Sequence, residues 1–421
     1  MDCMLHRFKF PYLGYKANKK ILLKSLLTVL CALLQFNITS VYADSGDTIN
    51  FLIGTDYRHY DNLFLLPDGQ SPGGDAERSD NVLRTNFIIK VDKKYSLQEF
   101  KFDYTHLESK YDNADFLDFK ANNYKAAWLW AITPNLKGNL SSERNVDLLP
   151  FTDRDRDINR KNIRTLDLQM FDFDFSPHNV WHLLGGYTQL ESINSQTFLQ
   201  ETSFKLQAAE VGVKYTFPSD SFVALKLRKK DGENQDINLV RQVGKGFSEN
   251  EAELSSLWKL SGKSKVAANL GRNEHMDDTF SLRDYSGYFG SVLYTWDPSA
   301  KLNIGVSLYR SLTSFQDDFS SYTVSDVLSI KPTWALTSKV NIGVYALASK
   351  RKFLGDGPLS NSGTPSRVDD GYKYGVEANW RPRRAMRLGV SLQHDERNSN
   401  DVVRNRDFSS NTIGVNGQLN F

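Results

Sequence analysis

The 421 residues carry 52 Lys and Arg against 50 Asp and Glu, a formal charge of +2, with only two cysteines. So even a balance gives no electrostatic ground for a nucleic-acid partner, and two thiols cannot build a disulfide framework or a four-thiolate metal centre. Beyond the leader, no apolar run approaches the length of a spanning helix, so strands are the only means left of crossing a membrane.

Residues 1–43 read as a secretory signal. Lys16, Lys19, Lys20 and Lys24 precede the apolar run Ser25–Leu34, and Val41-Tyr42-Ala43 is a small-x-small cleavage site before Asp44. The stretch ahead of the run is long, so Met4 is an alternative start. No small residue precedes Cys31, which argues against a lipoprotein anchor. Cleavage removes six basic residues and one acidic residue together with Cys3 and Cys31. The remaining 378 residues hold 46 basic and 49 acidic side chains, so +2 becomes −3. That part has no thiol chemistry at all.

From there to the end, residues 44–421, the chain alternates. Between Lys301 and Tyr309 one face carries Leu302, Ile304, Val306 and Leu308, the other Asn303, Gly305, Ser307 and Tyr309. Period two makes a strand with unlike faces. The pattern predicts strands over Asp47–Tyr57, Val82–Asp92, Tyr95–Tyr111, Lys120–Ile132, Asn135–Asp147 and Lys161–Phe175. It continues over Val180–Glu191, Phe204–Phe217, Ser221–Lys230, Asn250–Leu260, Ser264–His275 and Tyr285–Trp296. The last six are Lys301–Leu312, Tyr322–Leu336, Lys339–Arg351, Gly371–Arg381, Ala385–Glu396 and Ser409–Phe421. Short turns such as Asp297–Ala300 alternate strictly with long polar loops such as Asp61–Asn81 and Lys352–Asp370.

Eighteen strands with alternating connections fit a transmembrane antiparallel up-and-down β-barrel in the outer membrane of a Gram-negative bacterium. A periplasmic or extracellular sandwich or propeller is the alternative. Tryptophan separates them: all seven (Trp128, Trp130, Trp181, Trp258, Trp296, Trp334, Trp380) fall close to short turns and none in a long loop. An indole belt at one membrane interface explains that preference, and a dry sandwich core does not.

Two strands stand out. The last ends Ile413, Val415, Gly417, Leu419, Phe421 on one face, and a terminal aromatic of this kind resembles the signal read by the barrel-assembly machinery. In Lys161–Phe175, Leu166, Leu168 and Met170 share one face while Phe171, Phe173 and Phe175 share the next. A bulge near Met170 would reconcile them.

With the oily face outward, parity sends Arg58, Arg84, Lys90, Lys101, Lys214, Lys226, Arg228, Lys331, Lys373 and Arg387 into the lumen. Asp56, Asp92, Asp103, Asp167, Glu210, Glu251, Glu253, Glu377 and Asp395 go with them. Basic rings would favour anions or acidic sugars, while mixed signs can simply pair into a transverse field. Alternation alone forces polar residues inward, so ordinary solvated charge is the simpler reading.

Catalysis has thin support. His394-Asp395 and the neighbours His59 and Asp61 are the best acid–base candidates, but no Gly-x-Ser-x-Gly, His-Glu-x-x-His or phosphate loop is present. Asp68, Asp75, Glu77 and Asp80 lack the spacing of a calcium loop. The alternating run Asp153-Arg154-Asp155-Arg156-Asp157 reads as a solvated loop. No metal and no cofactor is expected.

Tyr57, followed by Asp61-Asn62-Leu63-Phe64 and then Leu66-Pro67, carries one resemblance. The stretch resembles the start of the exosortase-associated exopolysaccharide-export outer-membrane family, often called EpsL. Tyr60 stands where that family has a second acid, which weakens a cation-binding role for the motif. The resemblance implies a non-enzymatic barrel, produced alongside exopolysaccharide synthesis, that carries polysaccharide across the outer membrane. Its partners would be outer-membrane lipid, the polymer and periplasmic polysaccharide-export components. A general or solute-selective porin is the first alternative, and an outer-membrane hydrolase the second.

Overall fold

The computed structural model describes residues 48–421 apart from 74–75, 154–159, 199–200, 237–243, 316, 318, 358–365 and 402–403. The signal expected over 1–43 lies outside the described residues. The first six strands are β1 (Ile49–Tyr60), β2 (Asp80–Tyr95), β3 (Gln98–Tyr111), β4 (Phe119–Thr133), β5 (Leu136–Leu148) and β6 (Ile163–Phe175). Then come β7 (Trp181–Asn194), β8 (Phe204–Thr216), β9 (Phe222–Asn234), β10 (Gly246–Ser261), β11 (Ser264–Asp277) and β12 (Tyr285–Ser299). The last are β13 (Leu302–Ser314), β14 (Tyr322–Ala335), β15 (Val340–Leu354), β16 (Val368–Arg383), β17 (Met386–Ser399) and β18 (Phe408–Asn420). Each pairs antiparallel with its sequence neighbours, and β1 pairs with β18, so the sheet closes into an up-and-down barrel. Across the seam Phe421 N–H donates to Phe51 O at 2.8 Å and Phe51 N–H to Phe421 O at 3.2 Å. Closure leaves no unpaired edge, which the hydrocarbon of a bilayer requires.

Several strands run further at the long-loop end than alternation marks: β1 reaches Tyr60 and β10 begins at Gly246. Beyond the hydrocarbon the outer face meets headgroups and water, so the two faces stop differing while the backbone ladder continues.

The outward face is a belt of exposed apolar side chains, among them Phe51, Phe87, Leu227, Leu254, Leu270, Leu308, Leu328 and Leu392. Registers put all seven tryptophans on this face at the short-turn end, and six of them are 40–55% exposed. Trp128 Nε1–H donates to Gln98 Oε1 beside its turn at 2.8 Å, so the indole body faces acyl chain and its N–H is satisfied at the rim. A closed barrel with such a belt is a protein of the Gram-negative outer membrane.

One sequence expectation is corrected. No bulge occurs in β6, whose registers with β5 and β7 run without a shift. Phe171, Phe173 and Phe175 point to lipid, and Leu166, Leu168 and Met170 point inward. Asp167 therefore faces outward, not into the lumen, where Arg144 of β5 binds it through both nitrogens at 2.7 and 2.8 Å. The inward apolar stripe misled the parity count, because a lumen wall tolerates leucine whereas the lipid face excludes isolated charge. Register shifts occur instead beside the short turns, as between Trp296 and Ser299.

Candidate functional site

All ten basic residues expected in the lumen lie on the inward face by register. Eight of them sit against carboxylates. Arg58 pairs with Asp56 (2.6 Å), Lys90 with Asp103 (3.9 Å), Lys101 with Glu99 (3.0 Å), Lys331 with Glu377 (3.4 Å) and Lys373 with Asp395 (3.0 Å). Lys214 binds Asp174, Lys226 binds Glu210 (2.9 Å), and Arg228 bridges Glu210 (2.7 Å) and Glu251. Lys230 extends this last group to Glu249 (3.0 Å) and Glu251 (2.7 Å). Among the described residues Arg84 and Arg387 have no carboxylate partner, and Arg84 lies against the Tyr111 hydroxyl. The wall is thus a mosaic of pairs rather than a basic ring. Half-exposed pairs of this kind contribute little stability each, but they fix where charge stands along the water path. A barrel of this strand number encloses water rather than a solid side-chain core.

The long-loop end is different, because three loops close over part of it. Phe64, Leu66, Val82, Tyr111, Ala114 and Leu117 form a buried apolar cluster, with Leu63, Leu148 and Phe151 packed against it. Val82 and Tyr111 are inward-facing strand residues, and the others come from the loops after β1, β3 and β5 with their flanks. Phe64 is 2% exposed and meets the edge of Phe151 at 4.9 Å. The chain enters this cap through the Asp61–Phe64 motif. Asp61 accepts the backbone and side-chain N–H of Asn411 on β18, both at 2.7 Å, locking the end of β1 to the seam. Asn62, 1% exposed, donates Nδ2–H to Leu66 O (2.8 Å) and Ser409 O (2.9 Å) and accepts Leu66 N–H (2.9 Å). Leu63 N–H donates to Arg78 O, and Leu65 takes a left-handed φ of 54° to complete the turn. Tyr57 is on the outward face of β1, paired with Leu83 and Val415. The motif therefore ties the end of β1 to the seam and anchors the cap.

From this cap the loop after β5 reaches the opposite wall. Asp153 Oδ2 accepts Arg351 Nη1–H at 2.6 Å and Oδ1 accepts Arg367 Nη2–H at 3.1 Å, while Arg397 Nη1 forms an ion pair with Oδ1 at 3.6 Å. Arg397 also donates to Thr152 O at 2.5 Å. β15, β16 and β17 stand roughly half the circumference away from β5 and β6, so this contact spans the mouth. Burial by itself would push the Asp153 carboxyl up, but the three guanidiniums overrule it and hold its pKa down to about 2. The expectation of a solvated Asp153 is corrected on that ground; Arg154, Asp155, Arg156 and Asp157 lie outside the described residues.

The sequence reading missed Arg351, Arg367 and Arg397. Parity marks Arg351 and Arg397 as inward, yet nothing local ties them to a residue about 200 positions earlier.

The acid–base candidates disperse. His394 faces outward, bonded to Asn411 Oδ1 (2.8 Å) and stacked on Tyr374, while Asp395 points inward to Lys373. Adjacent strand residues must diverge in this way. His59 meets Asn81 rather than Asp61. Asp68 pairs with Arg78, and Asp80 accepts the N–H groups of Asn81, Asn113 and Ala114. Asp75 lies outside the described residues. No group of three or more His, Cys, Asp or Glu among the described residues could hold a metal ion.

Solved structures with a similar fold include OccK2 (OpdF) of Pseudomonas aeruginosa, 13% identical, with a TM-score of 0.50 over 89% of this chain and 98% of that one. OpdK of the same organism, solved with vanillate, is 10% identical, with a TM-score of 0.49 over 89% of this chain and 99% of that one. A BenF-like porin from Pseudomonas fluorescens Pf-5 is 13% identical, with a TM-score of 0.49 over 90% of this chain and 99% of that one. These likenesses concern the fold. No protein-family model and no curated protein matches the chain.

Proposed function

We propose that the barrel is a selective channel for small hydrophilic solutes, gated at its outer mouth. The observation that carries this reading is the join from Asp153 to Arg351, Arg367 and Arg397, which crosses the mouth from one wall to the other. A general pore gains nothing from such a crossbar, and a chain of linked sugars would have to lift it before passing. The paired lumen charges fit the same reading, since they offer a travelling polar solute many weak contacts and no deep trap.

Export of exopolysaccharide is the second reading, favoured by the Asp61–Phe64 motif at the root of the cap. In it the inward basic residues Arg58, Arg84, Lys90, Lys101, Lys214, Lys226, Arg228, Lys331, Lys373 and Arg387 guide the polymer. Export components would then dock at the short-turn end, and the cap would open only on engagement. Swelling of liposomes loaded with the purified protein, together with the phenotype of a gene deletion, decides between the two. The solute channel requires swelling with mono- and disaccharide-sized solutes and an unchanged surface polymer in the deletion strain. Loss of surface polymer with unaltered solute uptake would overturn it in favour of export.

A further inference from the structure

Asp153 is an unusual partner for three arginines. It arrives from a loop on the far wall, separated from them by about 200 residues or more, whereas the arginines form a unit of their own. Arg351 lies near the end of β15, Arg367 directly precedes β16, and Arg397 lies near the end of β17. Aromatic faces hold their guanidinium planes. Arg351 lies 4.6 Å from the centre of the Phe353 ring and 5.0 Å from that of Phe315, Arg367 lies 3.9 Å from Phe353, and Arg397 lies 4.9 Å from Phe408. The site is thus organised before any anion enters, so an incoming group has little ordering to impose.

Two features show that Asp153 does not saturate the site. Among the described residues these three cations face two carboxylates, Asp153 and Asp369, which leaves an excess of one positive charge. Arg367 is nine-tenths buried, and its Nη2 is taken by Asp153 and Asp369 (2.5 Å) while Nε bonds Asp369 (2.9 Å). Its Nη1 is buried without a hydrogen-bond partner among the described residues. A buried guanidinium N–H left bare is costly, and the fork of an arginine is matched by two oxygens of one carboxylate.

We propose that Arg351, Arg367 and Arg397 form a receptor for the carboxylate of an incoming solute, and that Asp153 is a tethered competitor for it. A free carboxylate that bridges Arg367 Nη1 and Nη2 takes Nη2 from Asp153 and so releases the crossbar that the loop makes over the mouth. The ligand class is a hydroxylated carboxylate, whether a free sugar acid or the uronate of an acidic saccharide. This inference rests on the channel reading for its consequence, but not for the binding itself.

A tethered group competes at millimolar effective concentration, so removing its charge unmasks affinity. The test is calorimetric titration of the purified full-length protein in detergent with gluconate, galacturonate, trigalacturonate and, as the neutral control, galactose. The expected result is that D153N binds galacturonate at least 10-fold tighter than wild type, and that galactose binds neither protein. R367Q added to D153N abolishes the gain; R351K, which keeps the charge, retains part of it. Heat-modifiable migration on gels confirms that each variant is a closed barrel. Equal affinity in wild type and D153N, or no carboxylate binding by either, overturns the proposal. Gluconate and galacturonate binding alike marks free acids as the source, and preference for trigalacturonate marks the saccharide. Bilayer conductance, measured on the same samples, is independent: a conducting protein blind to carboxylates sinks this inference alone, and a non-conducting one that binds them sinks the channel.

Discussion

Replacing Asn62 by alanine removes the pin on which the cap turns. The native side chain makes three hydrogen bonds in an environment closed to water. Leu66 O keeps Arg78 Nη2 at 3.0 Å when Asn62 is gone, so the uncompensated losses fall on Leu66 N–H and on the bond to Ser409 O. At about 1–3 kcal/mol for each buried group left unmet, the loop should lose about 2–6 kcal/mol, or roughly 30-fold or more in its closed population. The barrel should not notice, because eighteen continuous ladders hold it. Hydrogen exchange read by mass spectrometry in micelles checks both halves of the statement. Amides from Leu63 to Leu66 should exchange faster by that factor while those of β4 keep their protection. Unchanged protection around Leu66 would refute the hinge role, and equal loosening of β4 would show that cap and barrel are one cooperative unit.

Deleting Phe421 removes both seam bonds to Phe51 and the terminal aromatic, so the heat-modifiable, folded fraction in outer-membrane preparations should fall several-fold. Gly138 sits under Trp130, and a Cβ there would stand 2.5 Å from the indole and 2.1 Å from Asp172 O; G138A should cost about 1–3 kcal/mol, read as a lower urea midpoint with the folded yield preserved. Phospholipids brominated near the headgroup should quench tryptophan emission more strongly than those brominated at the acyl terminus, since all seven indoles lie at one rim; equal quenching would deny the girdle. The Asp153 carboxyl is depressed to about 2 from an ordinary 3.8, so its contribution is complete above pH 4 and disappears as pH falls through 2. Conductance should accordingly hold steady from pH 7 to 4 and rise only below pH 3.

The wall of this protein is legible in its sequence because two solvents press on every strand. Lipid on one side and water on the other force Leu302, Ile304, Val306 and Leu308 apart from Asn303, Gly305 and Ser307, and the ladder follows from that sorting alone. The same pressure explains the misreading of β6. In β6 the lumen side carries Leu166, Leu168 and Met170, and the lipid side at its outer end carries Asp167, whose charge is matched by Arg144. There both faces look mixed, and only the register of neighbouring strands settles which is which.

The mouth was not legible, for a physical reason that also locates function. Loops that close over the mouth answer to no period. Their apolar residues, Phe64 after β1 and Phe151 after β5, look like stray hydrophobes, and the decisive charge, Asp153, stands in a run that reads as solvated. Its partners lie on or beside three adjacent strands, β15, β16 and β17, and they meet Asp153 because a closed wall brings its opposite sides within a loop's reach. Sequence pattern specifies the container through local rules that every strand repeats. In the proposed channel, selectivity would come from contacts across the container, made once and between residues with no local reason to be paired. That is why a single carboxylate among three guanidiniums, rather than any of the ten lumen cations that alternation exposes, is where a change of one atom should alter what passes.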